Sequence, residues 1–328
     1  MKIVRFVLFV LHLITFLLLT GMLLNAYISP KVFPGFNLLS LAFPVLICGY
    51  AALTVFWIIS WKKRAFVFFF LGLLFFNPAL RWVNYSSVKK EVPDLKVMSF
   101  NTRSGGTSKS VTKEYLKNSG ADIILLQEDD GQEYGSLKYE TASFGNIIIL
   151  SKYKIIDRQF IKLNDGHIDD PALQVDVEIK RKRYRLISAH LQSFKFEKNM
   201  VKLNGNNEED EAKIKNIIKR LMPTFKMHQE QVAIIKKAVE ASPYPVILAG
   251  DLNSVPNSYE YYHLSEGVKD AFVEAGRGSG TSFHDYKFPI RIDYIFTSES
   301  IKALSYQVDR SVKVSDHFPV IATFRLEN

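Results

Sequence analysis

The feature that most constrains this chain is a stretch of ninety residues without an acidic side chain. Residues 1–90 contain no Asp or Glu, and three apolar segments follow one another there, roughly Ile3 to Leu24, Leu38 to Ile59 and Ala65 to Val83. Each segment approaches the ~20 residues that a helix needs to cross the hydrocarbon core of a bilayer. One such segment is also typical of a buried core helix, but three in succession favour three transmembrane helices. We therefore expect residues 1–90 to contact a lipid bilayer.

The charges divide the chain at the same place. The net charge is +9, and nine of the 42 Lys and Arg residues lie within residues 1–90. The other 33 equal the 33 Asp and Glu residues in number, so residues 91–328 carry no formal net charge. This neutral region lacks the basic excess that is typical of nucleic-acid binding. We expect a membrane anchor with its connector over residues 1–90 and a catalytic domain over residues 91–328, which is long enough to bury its own core.

The cations between the apolar segments predict the orientation of the anchor. Lys2 and Arg5 precede the first segment and residues 62–64 separate the second from the third, whereas Lys31 is the one cation between the first two. Because positively charged loops stay in the cytoplasm, everything after Val83 should lie outside. The first segment is alternatively a cleaved signal peptide, which would leave the later residues on the same side. We favour a bacterial inner membrane with the catalytic domain in the periplasm.

Residues 91–328 show the pattern of an α/β domain. Short runs rich in Ile, Val, Leu and Phe, flanked by turn residues, predict buried strands. They are LKVMSF, DIILLQ, NIIILS, YRLISAH, PVILAG, RIDYIF and PVIATFRL. Helical patterns lie between several of them, notably at residues 109–119 and 227–241. The polar residues 202–212 (KLNGNNEEDEA) predict a solvated loop that leads into a basic helix over residues 213–221.

Polar side chains suited to catalysis stand beside these strands. They are Asn101, Glu128, His190, Asp251, Asn253, Asp293, Asp316 and His317. Any single Asp or Asn at a strand end is ordinarily a turn residue, and residues 254–258 fit a turn. The number of carboxylate, amide and imidazole groups favours instead a site where they converge.

Six motifs carry these residues, and their order resembles that of the endonuclease/exonuclease/phosphatase superfamily of metal-dependent phosphoesterases. The motifs are SFNTRS (99–104), LLQE (125–128), SAHLQS (188–193), GDLNSVPNS (250–258), RIDYIF (291–296) and SDHFPV (315–320). The resemblance runs from about Leu95 to Leu326. It implies a four-layered α/β sandwich, with two packed mixed β-sheets flanked by helices, and a metal-dependent hydrolase that acts on phosphoester bonds.

The resemblance also implies a metal site. A phosphodiester is anionic and resists attack, so a catalyst must neutralise its charge and position a water. Glu128 would be the principal ligand of Mg²⁺ or Mn²⁺, with Asn101 and Asp316 contributing to that site or to an adjacent one. Hard oxygen ligands of this kind suit both ions.

The catalytic roles follow from the same resemblance. Asp251 would orient and deprotonate the attacking water, and Asn253 would donate to the phosphate or help to hold Asp251. His190 and His317 would contact phosphate oxygens from two sides. Asp293 would hydrogen-bond His317, which fixes the ring and favours its cationic form.

Some of these residues have simpler interpretations. Asn101 could be only a turn residue, and Asp293 could form a structural ion pair with Arg291. The remaining histidines at 167, 228, 263 and 284 match no family motif and are interpreted as ordinary surface or core residues. Residues 180–185 (KRKRYR) are interpreted as a solvated hairpin tip.

Two departures bear on the substrate. Arg103 stands where abasic-site endonucleases of the superfamily have Asp, and His190 stands where they have Tyr. Both weaken a DNA-repair function and favour the branches with His, which include secreted deoxyribonucleases and sphingomyelinases. The insertion at residues 193–225 could cover the site or decorate the surface.

Three functions remain open at this stage. The first is an outward-facing, membrane-tethered phosphodiesterase that acts on a phospholipid headgroup, since tethering raises the local concentration of membrane substrates. The second is an extracytoplasmic endonuclease or exonuclease that acts on nucleic acid. The third is a catalytically silent binding domain. No sequence feature indicates an obligate protein partner.

Overall fold

Four helices form the N-terminal part of the structure. This computed structural model describes residues 2–103, 109–129, 134–163, 171–195, 205, 207–285 and 289–327. The helices are α1 (Lys2–Leu23), α2 (Gly35–Ile59), α3 (Arg64–Gly72) and α4 (Phe76–Leu80), with short 3₁₀ turns after α1 and α3. We call residues 2–80 the helical bundle. Two hydrogen bonds join its helices internally, since Trp57 Nε1 donates to His12 Nδ1 and Tyr50 Oη donates to Phe68 O.

Two of the three predicted spans have the length of a membrane-crossing helix. Lys2–Ala26 and Gly35–Ile59 are 25 residues each, and only 22% of the most apolar part of each is buried. The core helix of a water-soluble protein would be mostly buried instead. The third apolar stretch, Arg64–Leu80, falls below that length because the chain leaves the helix to form strand β1 (Val83–Tyr85).

Two six-stranded sheets make up the rest of the fold. The first has the order β13 (Ile301–Val308), β14 (Val320–Leu326), β2 (Leu95–Asn101), β3 (Ile123–Gln127), β5 (Ile147–Ser151), β4 (Glu140–Phe144). The second has the order β10 (Lys269–Asp270), β12 (Asp293–Thr297), β9 (Val246–Asp251), β8 (Lys182–His190), β7 (Pro171–Ile179), β6 (Ile155–Lys162). All seven predicted strands are present. The pairs β2–β3 and β8–β9 are parallel and the other pairs are antiparallel, so both sheets are mixed.

The sheets pack face to face with helices outside, which confirms the four-layered α/β sandwich. Val97 and Leu125 of one sheet share a buried core with Val175 and Ile247 of the other. On the outer faces, α5 (Lys109–Asn118) packs through Leu116 on the first sheet, and α6 (Asn207–Glu240) packs through Val232 and Ile235 on the second.

Helix α6 is longer than the sequence pattern predicts. It begins at Asn207, within the stretch expected to be a loop, and it continues through Pro223 to Glu240. Glu208, Glu209 and Asp210 lie in its first turn, where acidic side chains favour the positive end of the helix dipole. The acidic residues that suggested a solvated loop therefore form the first turn of a helix.

One end of the helical bundle is hydrogen-bonded to the sandwich. Strand β1 pairs with β11 (Arg277–Ser279), and Arg291 Nη1 donates to Arg81 O at 3.0 Å. The fully buried Asn257 accepts from Asn25 Nδ2 through its carbonyl at 3.1 Å and from Arg81 Nη1 through Oδ1 at 2.9 Å. The segment that follows strand β9 is thus attached directly to the bundle.

Gly250 in strand β9 should not tolerate a side chain. Its φ of +148° is unfavourable for other residues, and a Cβ would lie 1.9 Å from Ala189 O on the neighbouring strand β8. We expect Gly250→Ala to lower the free energy of unfolding by about 3 kcal/mol or more. Thermal unfolding of the detergent-solubilised chain measures this. Gly135→Ala, where a Cβ would meet nothing within 4 Å, is the matched control. Equal unfolding midpoints for the two variants would contradict the prediction.

Candidate active site

The carboxyl ends of two parallel strands bring the central residues together. In the β8–β9 ladder His190 is paired with Asp251, and in the antiparallel β9–β12 ladder Asp251 is paired with Asp293. In the other sheet, Asn101 ends the strand β2 and Glu128 directly follows its parallel neighbour β3. Ends of strands from both sheets therefore meet. This is the convergence of polar groups that the sequence predicted.

Asp251 lies at the centre of this cluster and is 1% exposed. Its Oδ1 accepts the backbone N–H of Asn253 at 2.8 Å, and its Oδ2 accepts Asn101 Nδ2 at 3.0 Å. His317 Nε2 lies 3.6 Å from the same Oδ2. Burial raises the pKa of Asp251 to about 7, against the opposing charge of His317. A carboxyl that gives up its proton near neutral pH is suited to act as a general base.

Asn101 and Glu128 form the side of the cluster that belongs to the first sheet. Asn101 Nδ2 also donates to Glu128 Oε1 at 3.1 Å, and Asn101 Oδ1 accepts the Arg103 N–H at 3.0 Å. Glu128 has a φ of +50°, in the left-handed region that non-glycine residues seldom adopt. This conformation follows the end of β3, and the Glu128 carboxylate faces Asn101 and His190.

His317 and Asp293 form a buried pair. His317 Nδ1 lies 2.9 Å from Asp293 Oδ2. Burial opposes the charged form of the ring, but Asp293 and Asp251 outweigh it and raise the pKa of His317 to about 10. The ring is therefore cationic at neutral pH and faces Asp251 with Nε2. The alternative pairing of Asp293 with Arg291 does not occur, because the Arg291 guanidinium binds Asp270 at 2.6 Å.

His190 differs from His317 in its electrostatics. Its Nε2 lies 3.4 Å from Glu128 Oε1 and 3.2 Å from Asn253 Nδ2. Burial is the largest influence on this ring and lowers its pKa, so the neutral form is favoured. Asn253, at a φ of +46°, also donates to Leu191 O at 2.9 Å. The two histidines thus border Asp251 with opposite preferences for charge.

Asp316 lies at the edge of the cluster. Its Oδ2 is 3.1 Å from Arg103 Nη1, and its Oδ1 accepts Ser315 Oγ at 3.2 Å. Ser315 Oγ also donates to Asn101 O at 2.8 Å and so connects the last motif to the first. Arg103, noted in the sequence as a departure from the abasic-site endonucleases, is here the cationic partner of Asp316.

The donor set fits a hard divalent cation. Two groups of potential ligand atoms lie within 4.8 Å of one another in the described part of the chain, Glu128 with His190 and Asp251, and Asp251 with Asp293 and His317. A cationic His317 ring has no lone pair to offer, so the first group and the Asp293 carboxylate are the candidate ligands. Asp293 Oδ1 is buried without a hydrogen-bond partner among the described residues. Carboxylate oxygens concentrated in this way are the ligands that Mg²⁺ and Mn²⁺ prefer.

The histidines outside the cluster differ in how deeply they are buried. His228 is fully buried and contacts Glu260, and His284 stacks on Phe318. His263 is half-buried beside Tyr259, and residue 167 lies outside the described residues. The hairpin interpretation of residues 180–185 is confirmed at its turn, where Lys180 and Arg181 both have positive φ. The expected solvation is wrong for Tyr184 and Arg185, which are buried because Tyr184 joins the core between the sheets and Arg185 binds Asp176. Sequence reasoning placed Ser315 in the motif SDHFPV without giving it a role. It missed the His228–Glu260 pair, since neither residue carries a local signal beyond a polar residue near an apolar run.

Comparison with known sequences finds one family model that covers every residue of the cluster. Residues 98–317 match the model of the Endonuclease/Exonuclease/phosphatase family, and residues 5–82 match a model described as a domain of unknown function. No curated protein matches the chain.

Solved structures share the fold at low sequence identity. An endonuclease/exonuclease/phosphatase family protein from Bacteroides thetaiotaomicron is 17% identical with a TM-score of 0.55, covering 73% of this chain and 100% of its own. A mannosyl-6-phosphatase from the same species is 18% identical with a TM-score of 0.52, covering 71% and 100%. D. rerio TDP2, solved with a single-strand DNA product, is 17% identical with a TM-score of 0.52, covering 70% and 98%. Identities this low establish the fold alone.

The Asp293–His317 pair should set the alkaline limit of activity. A raised pKa keeps His317 protonated at neutral pH and releases the proton as the pH rises through about 10. In Asp293→Asn the carboxylate that raises this pKa is gone, so the alkaline limb should move to lower pH by about one unit or more. The pH profile of kcat/KM for phosphoester hydrolysis measures the shift. Asp309→Asn, whose carboxylate accepts from Tyr115 instead, should leave the limb in place, and so would Asp293→Asn if the pairing had no catalytic consequence.

Proposed function

The chain belongs to the endonuclease/exonuclease/phosphatase family of metal-dependent phosphoesterases, and we propose that it is a membrane-tethered, Mg²⁺-dependent phosphodiesterase that acts on a phospholipid headgroup. In this proposal residues 1–90 are the membrane anchor and its connector, and residues 91–328 are the catalytic domain. The catalytic domain faces the outside of the cytoplasm, in the periplasm for a bacterial inner membrane.

The observation that carries the lipid proposal is the short distance between the site and the bundle. Asn257, which hydrogen-bonds Asn25 and Arg81, follows Asn253 by four residues. Four residues span at most about 14 Å between Cα atoms. If α1, α2 and the apolar stretch Arg64–Leu80 all cross a bilayer, the cluster around Asp251 lies close to the membrane surface, where lipid headgroups are the most concentrated phosphodiesters.

The charges agree with this arrangement of the anchor. Lys2, Arg5 and residues 62–64 belong to the bundle end that lies away from the sandwich contacts, and positive residues favour the cytoplasmic side. The end that contacts the sandwich includes Asn25 and Arg81. The many apolar side chains exposed on the helices would be solvated by lipid tails.

The metal site of the proposal uses the donors of the first sheet. Glu128 is the principal ligand, Asn101 contributes by holding the Glu128 carboxylate through Nδ2, and Asp316 contributes from the edge of the cluster. A bound Mg²⁺ or Mn²⁺ would supply charge neutralisation for the phosphate and its leaving oxygen.

The protein's own groups would carry the proton transfer and the positioning. Asp251 accepts a proton from the attacking water, and the Asn253 amide orients either Asp251 or the phosphate. His317, kept cationic by Asp293, donates to one phosphate oxygen. The neutral His190 contacts the phosphate from the other side.

A nuclease that acts outside the cytoplasm is the second candidate. TDP2, which shares the fold, was solved with a single-strand DNA product, so the same sandwich accommodates nucleic acid in that protein. The absence of net charge over residues 91–328 gives this candidate less support. A catalytically silent binding domain has the least support, because the complete acid, amide and imidazole set is present.

A substrate panel tests the proposal. The full-length chain, reconstituted in nanodiscs with Mg²⁺, should hydrolyse bis-nitrophenyl phosphate and a phospholipid, and chelation should stop both reactions. Asp251→Asn should lower the rate roughly 10²- to 10⁴-fold, the typical contribution of a general base, whereas Asp309→Asn should retain it. Cleavage of plasmid DNA or RNA without cleavage of lipid would favour the nuclease, and no cleavage of any phosphoester would favour the silent domain.

The orientation is tested separately with a reporter fused after Asn328. We expect a periplasmic reporter enzyme to be active and a reporter that requires the cytoplasm to be inactive, because positively charged loops stay inside. The reverse pattern would contradict the orientation without bearing on the phosphodiesterase activity.

A further inference from the structure

A buried chain of hydrogen bonds starts at Asn37, in the first turn of helix α2. Its Nδ2 donates to both carboxylate oxygens of Glu260, at 3.1 and 3.0 Å, and its Oδ1 accepts the backbone N–H of Tyr259 at 2.8 Å. Asn37 is 1% exposed and Glu260 is fully buried. The Asn37 amide thus hydrogen-bonds two residues at the start of one short helix, α7 (Tyr259–Leu264).

The chain continues through His228 on helix α6. Glu260 Oε1 lies 2.9 Å from His228 Nδ1, and His228 Nε2 lies 2.8 Å from the backbone carbonyl of Gln192. Ser254 Oγ lies 3.3 Å from the same Nδ1, so polar partners hold the buried ring at both nitrogens. A buried polar network of this kind is stable only while every partner is in place.

The chain ends at the segment that carries His190. Gln192 follows His190 by two residues, and between them the Leu191 carbonyl accepts Asn253 Nδ2 at 2.9 Å. The Leu191 N–H donates to the Asp251 carbonyl at 3.0 Å. A shift of the Gln192 carbonyl would therefore strain the contacts that place His190, Asn253 and Asp251 beside one another.

We propose that Asn37 is a positioning residue for the active site. Through Glu260 and His228 it holds the segment from His190 to Gln192, so the helical bundle supports the catalytic geometry as well as tethering the domain. The kinetic part of this inference rests on the proposed phosphodiesterase function; the structural part does not.

The test uses the full-length chain in nanodiscs and a soluble diester, bis-nitrophenyl phosphate, whose supply does not depend on the bilayer. Asn37→Leu should lower kcat by about tenfold or more and change KM by less than about threefold, because the substrate's binding surface remains while its alignment is lost. Hydrogen–deuterium exchange should rise in the peptide that covers residues 186–195. Asn37→Ser, which is smaller and still polar, should change both quantities in the same direction and serves if Asn37→Leu does not fold.

Lys31→Met is the matched control. It removes the exposed contact of Lys31 with Glu230, at the same boundary between bundle and α6, without touching the buried chain. Exposed ion pairs contribute little, so kcat and exchange should match those of the wild type.

The two readouts separate the possible failures. If the wild type hydrolyses nothing, the proposed function is wrong, and faster local exchange in the Asn37 variants still supports the positioning role. Wild-type exchange and kcat in both Asn37 variants would overturn the inference. Faster exchange spread evenly over both sheets, with a lower unfolding temperature, would overturn it as well, since that result describes general destabilisation.

Discussion

The active site depends on one buried carboxylate. Asp251 is 1% exposed, and removing a charged carboxylate from water is costly unless hydrogen-bond donors and cations replace the water. Asn101, the Asn253 backbone and His317 supply these partners, and each comes from a different sequence motif. The two sheets must therefore be packed in one register for Asp251 to be stable, and the same register places Glu128 and His190 beside it. The contacts that stabilise Asp251 between the two sheets are therefore also the contacts that assemble the site.

The two histidines show how the environment favours different charge states of one residue type. His317 has Asp293 behind it, which outweighs the effect of burial and keeps the ring charged. His190 has no buried carboxylate hydrogen-bonded to Nδ1 among the described residues, and burial decides in favour of the neutral ring. A charged donor and a neutral ring on either side of a base with a pKa of about 7 are a suitable arrangement for deprotonating water next to an anionic phosphate.

Local sequence patterns predicted the strands and the residues at their ends well, because burial on both faces leaves runs such as IILLQ and VILAG that have few other interpretations. The sequence alone could not predict contacts between distant segments. The turn after Asn253 reads as a simple turn, yet Asn257 is buried by Asn25 and Arg81, more than 170 residues earlier in the chain. His228 matches no motif, and its role depends on Glu260 and Gln192, which the fold brings to it. The third apolar segment ends at Leu80 instead of Val83 for a related reason, since the chain then forms β1, which gains its pairing from β11, nearly 200 residues away.

The contacts between the helical bundle and the sandwich show that the bundle is a rigid attachment and not a flexible tether. A flexible tether needs few contacts, and its length decides how the tethered domain samples the membrane. Here Arg81 stacks on Tyr261 and Tyr262, donates to Asn257 and accepts from Arg291, so the connection is short and held at several points. A rigid attachment fixes the direction in which the cleft around Asp251 opens relative to the bilayer, provided that the helices span it. For a headgroup substrate, whose phosphate lies at a defined depth, a fixed height and direction reduce the entropy lost on binding. A fixed height and direction above the bilayer would not help a freely diffusing substrate, so this effect of the close attachment supports the proposal of a substrate that is itself held in the membrane.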